Sequence, residues 1–213
     1  MVLLKKVVNQ IKRKLKEKER IHQEAQAEMR SMISLSKQTI LQIHQRKLAK
    51  ANKLLQIATE TKNRLDATAK THPELIYGGF YDAANQEYSE ANILLNLIQN
   101  NEFITPEEIN VMPANYVLGL SDVIGEYRRL ALDYLREGNV DKGEECLRLM
   151  DQIFIELMAL DETYMMVPGL RRKNDVARKI IEITRGDITQ EVRRKVLEER
   201  LMNFQRTKRR RMN

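Results

Sequence analysis

Two pairs of carboxylates stand at helical spacing in the middle of the chain. Glu87 and Glu90 are three residues apart, and Asp122 and Glu126 are four apart, so each pair shares one face of a predicted helix. No Lys or Arg lies within 15 residues of Glu87 or Glu90. Carboxylates beside an apolar stripe need a cation or a proton. The pattern therefore predicts a site for a hard divalent ion such as Mg²⁺, which prefers oxygen ligands.

A Mg²⁺ ion held in this way could generate a hydroxide nucleophile and stabilise a phosphoryl transition state. The ordinary alternative is that both acidic pairs belong to solvated helix faces, which is the commoner meaning of such charge patterns. Glu126 also has Arg129 three residues further on as an ion-pair partner.

Two glycines, Gly119 and Gly125, lie in the same predicted helix as Asp122. Each costs roughly 1 kcal/mol relative to alanine in a helix interior. Close approach of a neighbouring helix would explain both, and the same approach would bring Asp122 near Glu87 and Glu90.

The spacing of apolar residues predicts an all-α protein of seven or eight helices. Residues 1–72 contain neither Gly nor Pro, and their apolar residues recur at helical spacing. We expect a long N-terminal helical hairpin there, with its turn between about Gln45 and Asn52. Pro, Gly and capping signals then predict the following helices: residues 74–99, a short one opened by Thr105-Pro106, residues 115–136, 140–164 and 171–185, and a last one capped by Asp187 or Thr189 after Gly186 and running to about Arg206.

We expect a single domain over residues 1–213, because no linker or internal repeat interrupts the chain. Charge is segregated along it. Residues 1–20 hold eight Lys/Arg and two Glu, residues 71–127 hold nine acids and no base, and residues 203–213 hold five Lys/Arg and no acid. Basic N- and C-terminal extensions, about 1–20 and 203–213, are typical of a protein that binds a polyanion. A solvated basic surface is the alternative.

Several function classes lack support in the sequence. No apolar run is long enough for a transmembrane span, and no secretory leader is evident, so we expect a cytoplasmic protein without a membrane partner. The single cysteine, Cys146, excludes a disulfide framework, and the three histidines have no metal-binding spacing. Aromatic residues make up 5% of the chain, with no Trp, which gives little material for a base-stacking platform.

Two longer strings resemble the translin family, and within it the translin-associated factor X branch more than translin itself. Residues 115–126, NYVLGLSDVIGE, followed by Arg129, resemble the family's central helix. Residues 80–91, FYDAANQEYSEA, resemble the factor X segment that carries a Glu-x-x-Glu pair. The similarity extends over roughly residues 20–185. Translin itself has basic and apolar residues where this chain has the acidic segment 81–90, so its nucleic-acid contacts there are not transferred.

The resemblance implies a translin-like helical bundle that assembles as a homo-oligomer, an octamer, around a cavity. It implies binding of single-stranded RNA or DNA and, for the factor X branch, endoribonuclease activity dependent on Mg²⁺, with Mn²⁺ as an alternative ion. The family's acidic triad falls on Glu87, Glu90 and Asp122, with Glu126 as an additional metal ligand. Two other hypotheses stay open: a non-catalytic nucleic-acid-binding or scaffold oligomer in which the acids are structural, and a plain helical interaction module.

Overall fold

The structure is a computed structural model that describes the backbone of residues 2–212 and the side chains of residues 3–160, 162 and 164–205. Within these residues there are seven α-helices, one 3₁₀-helix and no strand, which confirms the all-α prediction. No described helix is long and apolar enough to cross a membrane. The α-helices are α1 (Val2–His44), α2 (Leu48–Thr71), α3 (Pro73–Ile76), α4 (Gly79–Asn100), α5 (Pro113–Arg136), α6 (Val140–Met158) and α7 (Leu170–Met212).

The predicted N-terminal hairpin is confirmed, with its turn at residues 45–47 between α1 and α2. Arg46 takes the left-handed conformation there, with φ of 57°. The amide of Lys47 donates a hydrogen bond of 2.9 Å to the carbonyl of Gln42, which closes the end of α1. The absence of Gly and Pro before residue 73 therefore yields two long helices joined by one tight turn.

The chain divides into two compact units, residues 1–119 and residues 120–213, and α5 continues through the boundary. In the first unit α1, α2 and α4 surround a core whose largest fully buried side chains include Met32, Leu65 and Tyr88. In the second unit α6 and α7 carry the buried apolar side chains of Met150, Ile153, Leu157, Leu170, Ala177 and Ile181. The single domain over residues 1–213 stays a prediction.

The helix predicted over residues 74–99 is divided in the structure. The four-residue α3 ends at Ile76, and α4 starts at Gly79. Between them Tyr77 is extended, with φ of −68° and ψ of 126°. The ring of Tyr77 packs edge-on against that of Tyr81 in the first turn of α4, at a centroid distance of 5.6 Å. Both carboxylates of the Glu87–Glu90 pair lie on α4, well inside the predicted helix.

The prediction of a short helix after Thr105 is wrong, although Thr105 does form the hydrogen bonds of a helix cap. The amide of Thr105 donates to the Glu108 carboxylate at 2.7 Å, and the amide of Glu108 donates to the Thr105 hydroxyl at 3.3 Å. This reciprocal pair is a capping box, but residues 106–110 form only a turn. Asn110 adopts a left-handed φ of 51°, which stops the chain before a helix can propagate.

The boundaries in the C-terminal region also differ from the prediction. Helix α6 ends at Met158, and a 3₁₀-helix follows over Asp161–Met166. Helix α7 passes through Gly186 without a break, so the expected cap at Asp187 or Thr189 is wrong. Asp187 instead pairs with Arg128 at 3.3 Å, and the Thr189 hydroxyl donates to the carbonyl of Arg185 inside the helix at 2.7 Å. These contacts occupy the side chains that would otherwise have capped a new helix.

Candidate active site

Glu87 and Glu90 lie on α4 in the first unit, one helical turn apart. The side chain of Glu87 is 25% exposed, and Glu90 is 8% exposed. Their neighbours Ser89 and Ala91 are fully buried. The α4 face thus holds one carboxylate at the edge of the packed region and one inside it, in agreement with the predicted position beside an apolar stripe.

The expectation that these acids lack a basic partner is wrong for Glu87. The Lys37 ammonium on α1 lies 3.2 Å from the Glu87 carboxylate. Glu90 also has a polar or electrostatic partner. Sequence reasoning missed Lys37 because it considered only neighbours along the chain, whereas the α1–α4 packing brings together residues that are 50 positions apart.

Gly119, the last residue of the first unit, lies directly against α4. A Cβ atom placed there would stand 2.8 Å from the carbonyl oxygen of Gln86, 2.8 Å from the Cβ of Ser89 and 2.9 Å from the amide of Glu90. Real Cβ atoms do not approach backbone this closely, so only glycine fits. The close helix approach predicted for Gly119 is therefore confirmed, and it occurs at the segment of α4 that carries the two glutamates.

Gly125 differs from Gly119. No described atom outside its own helical neighbourhood lies within 4 Å of a Cβ built at this position. Close helix packing was the predicted reason for this glycine, and that prediction is wrong. Gly125 lines a cavity in the second unit instead.

Asp122 lies on α5 and forms an ion pair with Lys173 on α7. Both side chains are partly exposed, at 29% for Asp122 and 27% for Lys173. Glu126, one turn further along α5, is partly buried. The structure therefore places Asp122 and Glu126 on one helix face, as predicted, and adds a cation that the sequence did not reveal because 51 positions separate it from Asp122.

A cavity of about 440 Å³ adjoins this ion pair in the second unit. Ser121, Asp122 and Gly125 of α5 line it on one side, and Arg172, Lys173 and Val176 of α7 line it on the other. One carboxylate and two cations therefore border the same space. Such a combination suits a phosphate ester, whose charge the cations match, and a metal ion, which the carboxylate could hold.

The donor chemistry of the four acids fits Mg²⁺, because carboxylate oxygen is the ligand that this ion prefers. Among the described side chains, however, no group of three or more His, Cys, Asp or Glu residues is arranged to hold a metal ion. In the first unit Glu87 and Glu90 share one face of α4, and in the second unit Asp122 and Glu126 share one face of α5. The lysines paired with Glu87 and Asp122 would have to move if a metal took their places.

Cys146 is a poor candidate for a nucleophile. It lies 5% exposed on α6, and burial, followed by the nearby Glu145 carboxylate, raises the pKa of its thiol to about 12. The thiolate form needed for attack is therefore scarce at neutral pH.

The basic surface expected at the N-terminus is present. Residues 3–20 of α1 are all exposed, including the basic residues Lys5, Lys6, Lys12, Arg13, Lys14, Lys16, Lys18 and Arg20. Apolar side chains are exposed there too, among them Leu4, Val8, Ile11 and Leu15. In the predicted basic tail, 203–213, the side chains from residue 206 onward lie outside the described residues.

Comparison with known proteins gives a family match over most of the chain. The Translin family model matches residues 3–183, so the last part of α7 lies beyond it. The uncharacterised protein MJ0175 of Methanocaldococcus jannaschii is 35% identical over 155 residues, which cover 72% of this chain and 68% of that protein.

The solved structures agree with this match. AfC3PO, both alone and in its complex with duplex RNA, superposes with a TM-score of 0.79 at 32% identity, covering 89% of this chain and 98% of that one. Apo-NeC3PO has the same TM-score at 23% identity, covering 86% of this chain and 96% of that one. At this lower identity the likeness shows the fold alone.

Proposed function

Because the chain belongs to the translin family, we propose that it is a Mg²⁺-dependent endoribonuclease that binds single-stranded RNA within a homo-oligomer, an octamer. The observation that carries the proposal is the cavity bordered by Asp122, Lys173 and Arg172. Cleavage of a phosphodiester requires charge stabilisation at phosphate and an activated water. A carboxylate next to two cations supplies groups for both requirements.

The family resemblance assigns Glu87, Glu90 and Asp122 as ligands of the Mg²⁺ ion, with Glu126 as a further ligand or as a residue that orients one; α4 carries the first two and α5 the other two. The bound ion supplies an acidified water and neutralises charge on the phosphoryl group. Lys173 balances the charge of Asp122 while no metal is bound. If Asp122 were to hold a metal ion, the Lys173 ammonium could pair with a phosphate oxygen instead, as could the Arg172 guanidinium that lines the same cavity.

RNA binding is supported by the charge of the exposed segment of α1. Residues 1–20 carry a net charge of +6, and the structure leaves the basic side chains of residues 5–20 in solvent. Lysine and arginine on such a surface bind phosphates without reading sequence. AfC3PO was solved with duplex RNA, and its 32% identity to this chain supports RNA as the ligand here. Binding titrations with labelled single-stranded RNA and with labelled duplex RNA test whether single strands are preferred.

The deciding experiment measures cleavage of a labelled single-stranded RNA, with and without Mg²⁺, by the parent and by Glu90→Gln and Asp122→Asn. We expect metal-dependent cleavage by the parent and loss of most cleavage in both variants, with salt-sensitive RNA binding retained. Glu107→Gln is the matched control, because Glu107 is an exposed acid in the turn before α5. Equal cleavage by all four proteins would contradict the assignment of the acids.

A second candidate is a nucleic-acid-binding oligomer without catalysis. The ion pairs Lys37–Glu87 and Lys173–Asp122 favour it, because acids that already have basic partners need no metal. This candidate predicts RNA binding without any Mg²⁺-dependent cleavage.

Chromatography with light scattering tests the assembly that both candidates share: a mass near eight times 25.0 kDa is expected, and a monomer at micromolar concentration would count against it.

A further inference from the structure

The cavity beside Asp122 has two chemically different walls. Its polar lining residues are Arg172, Lys173, Asp122 and Ser121. The remaining surface is mostly apolar and is formed by Ile124, Val176, Ala177 and Ile180. Val176 is 50% exposed, so the apolar wall can be reached from solvent. A volume of about 440 Å³ is in the range of pockets that take small organic ligands.

Gly125 keeps this cavity open. An interior glycine costs a helix roughly 1 kcal/mol relative to alanine, and Gly119 offsets that cost through its contact with α4. Gly125 has no such contact, because no described atom outside its own helix lies within 4 Å of its built Cβ. A side chain at this position would project into the cavity that Gly125 lines. The space beside Asp122 is therefore maintained at a cost in helix stability.

The two walls restrict the ligand. Two cations and one carboxylate line the cavity, so its net positive charge calls for an anion, and a bidentate guanidinium suits the oxygens of a phosphate. The apolar wall calls for a ring or a hydrocarbon that water solvates poorly. The Lys173 ammonium compensates Asp122 in the same cavity, so Arg172 supplies the remaining positive charge of the lining. A phosphate joined to a heterocyclic ring satisfies all of these conditions.

We propose that the cavity between α5 and α7 binds one nucleotide unit, with its phosphate at Arg172, next to the Lys173–Asp122 ion pair, and its base against Val176 and Ile180. The inference rests on the proposed function, since it assigns this cavity as the place where a nucleotide of the RNA is held next to Asp122. Gly125 sets the specificity of the cavity by leaving room for the ring.

The test is equilibrium dialysis of the full-length protein against labelled adenosine 5′-monophosphate, with adenosine and inorganic phosphate as separate probes. We expect the nucleotide to bind more tightly than either fragment, because each fragment contacts one wall only. Gly125→Leu should weaken nucleotide binding by at least about tenfold through filling the cavity. Arg172→Gln should weaken nucleotide binding and leave adenosine binding unchanged.

Gly186→Leu is the matched control for Gly125→Leu. Gly186 is also inside a helix with no described atom within 4 Å of its built Cβ, but it is not among the residues that line this cavity. Both leucine variants should fold, because leucine favours a helix over glycine, and melting curves check this. Unchanged nucleotide binding by Gly125→Leu, equal loss in Gly186→Leu, or equal binding of adenosine and the nucleotide would overturn the proposal.

Competition separates this inference from the proposed function. Unlabelled single-stranded RNA should displace the bound nucleotide if the cavity is part of the RNA site. Displacement together with the Gly125→Leu effect supports the inference even where no cleavage is detected. RNA binding and cleavage by a protein that binds no adenosine 5′-monophosphate at millimolar concentration would leave the proposed function standing and refute the nucleotide cavity. Nucleotide binding that RNA does not displace would refute the link between the two.

Discussion

The carboxylate of Asp66 on α2 accepts a hydrogen bond of 2.5 Å from the phenolic hydroxyl of Tyr81 on α4. Its other oxygen accepts from the Lys62 ammonium at 2.6 Å and from the side-chain amide of Asn110 at 2.9 Å. One carboxylate thus joins two helices and the turn at residues 106–110. Lys62 is only 2% exposed, so its charge depends on Asp66 for compensation inside the first unit.

Replacing Asp66 by alanine should lower the free energy of unfolding by about 3–5 kcal/mol, because it leaves the buried Lys62 cation without its partner. Thermal melts at fixed protein concentration measure the loss. The double variant Lys62→Met with Asp66→Ala should recover a large part of it, since the unpaired charge is then absent. A double variant no more stable than Asp66→Ala alone would show that the hydrogen bonds to Tyr81 and Asn110, and not the charge, carry the effect.

The two glycines of α5 should respond to alanine with opposite signs. Gly119→Ala forces a Cβ to within 2.8 Å of backbone and side-chain atoms of α4, and such overpacking typically costs 1–3 kcal/mol. Gly125→Ala meets open space and should stabilise the helix by up to about 1 kcal/mol. Urea denaturation of both variants decides the matter. A stabilising Gly119→Ala would contradict the close approach of α4 and α5.

Removing either acid–lysine pair should lower the free energy of unfolding of the metal-free protein, by different amounts that urea denaturation measures. Glu87→Gln breaks a pair in which Lys37 is 61% exposed, so a loss below about 1 kcal/mol is expected. Asp122→Asn removes a less exposed pair with Lys173, and a loss of about 1.5–3 kcal/mol is expected, as for hydrogen bonds to charged groups.

Added Mg²⁺ distinguishes the roles of these acids. If Asp122 is a metal ligand, Mg²⁺ should raise the melting temperature of the parent, because a ligand that binds only the native state stabilises it. The shift should be smaller in Asp122→Asn and unchanged in Glu107→Gln. No Mg²⁺ shift in any of the three proteins would favour the structural role of Asp122.

The basic segments should determine how RNA affinity depends on salt. The logarithm of the binding constant falls with the logarithm of salt concentration by about 0.7 for each phosphate neutralised on a single strand. Replacing Lys5, Lys6, Lys12 and Arg13 by Gln should therefore make the slope shallower, and so should deleting residues 206–213. The two changes are compared with the parent by titration at several salt concentrations. A slope unaffected by one of them would show that segment to make no phosphate contacts.

Cys146 should resist thiol reagents while the protein is folded. Burial and the nearby Glu145 raise the pKa of its thiol from the ordinary 9.0 to about 12. Because the folded pKa is the higher one, the neutral thiol contributes stability below pH 9.0, and this contribution is lost as the pH rises toward 12. At pH 8 a chromogenic disulfide should react slowly with native protein and rapidly after denaturation. Equal rates would show the thiol to be accessible.

The helices and the faces of the acidic residues could be predicted from sequence because they depend on local rules. Apolar periodicity and the lack of Gly and Pro define α1 and α2, and the helix predicted over residues 115–136 is α5, which starts two residues earlier at Pro113. The errors arise where tertiary contacts override local signals. Gly186 lies within the continuous helix α7, where Asp187 pairs with Arg128 and does not cap a new helix. The capping box at Thr105 closes a turn and not a helix.

The candidate site was predictable in part for the same reason. The positions of Glu87 and Glu90 on one face follow from their spacing alone. Lys37 could not be identified as the partner of Glu87, nor Lys173 as the partner of Asp122. The sequence does not indicate which distant lysine will pack against a given helix surface. The cavity at Gly125 could not be predicted either, because a glycine inside a helix is compatible with a close helix contact and with an open space.

Residues 3–18 of α1 lie exposed on all sides, and an isolated helical segment of this length is marginal in water. Its amide hydrogens are thus expected to exchange with solvent on the timescale of local fraying, whereas those of α1 beyond Ala25, where the core begins, exchange only with larger openings. The exchange rate of these amides therefore reports what fraction of the time another subunit or RNA covers the segment. When the protein or RNA concentration is varied, the protection of these amides gives a local readout of assembly or RNA binding without any probe attached to the protein.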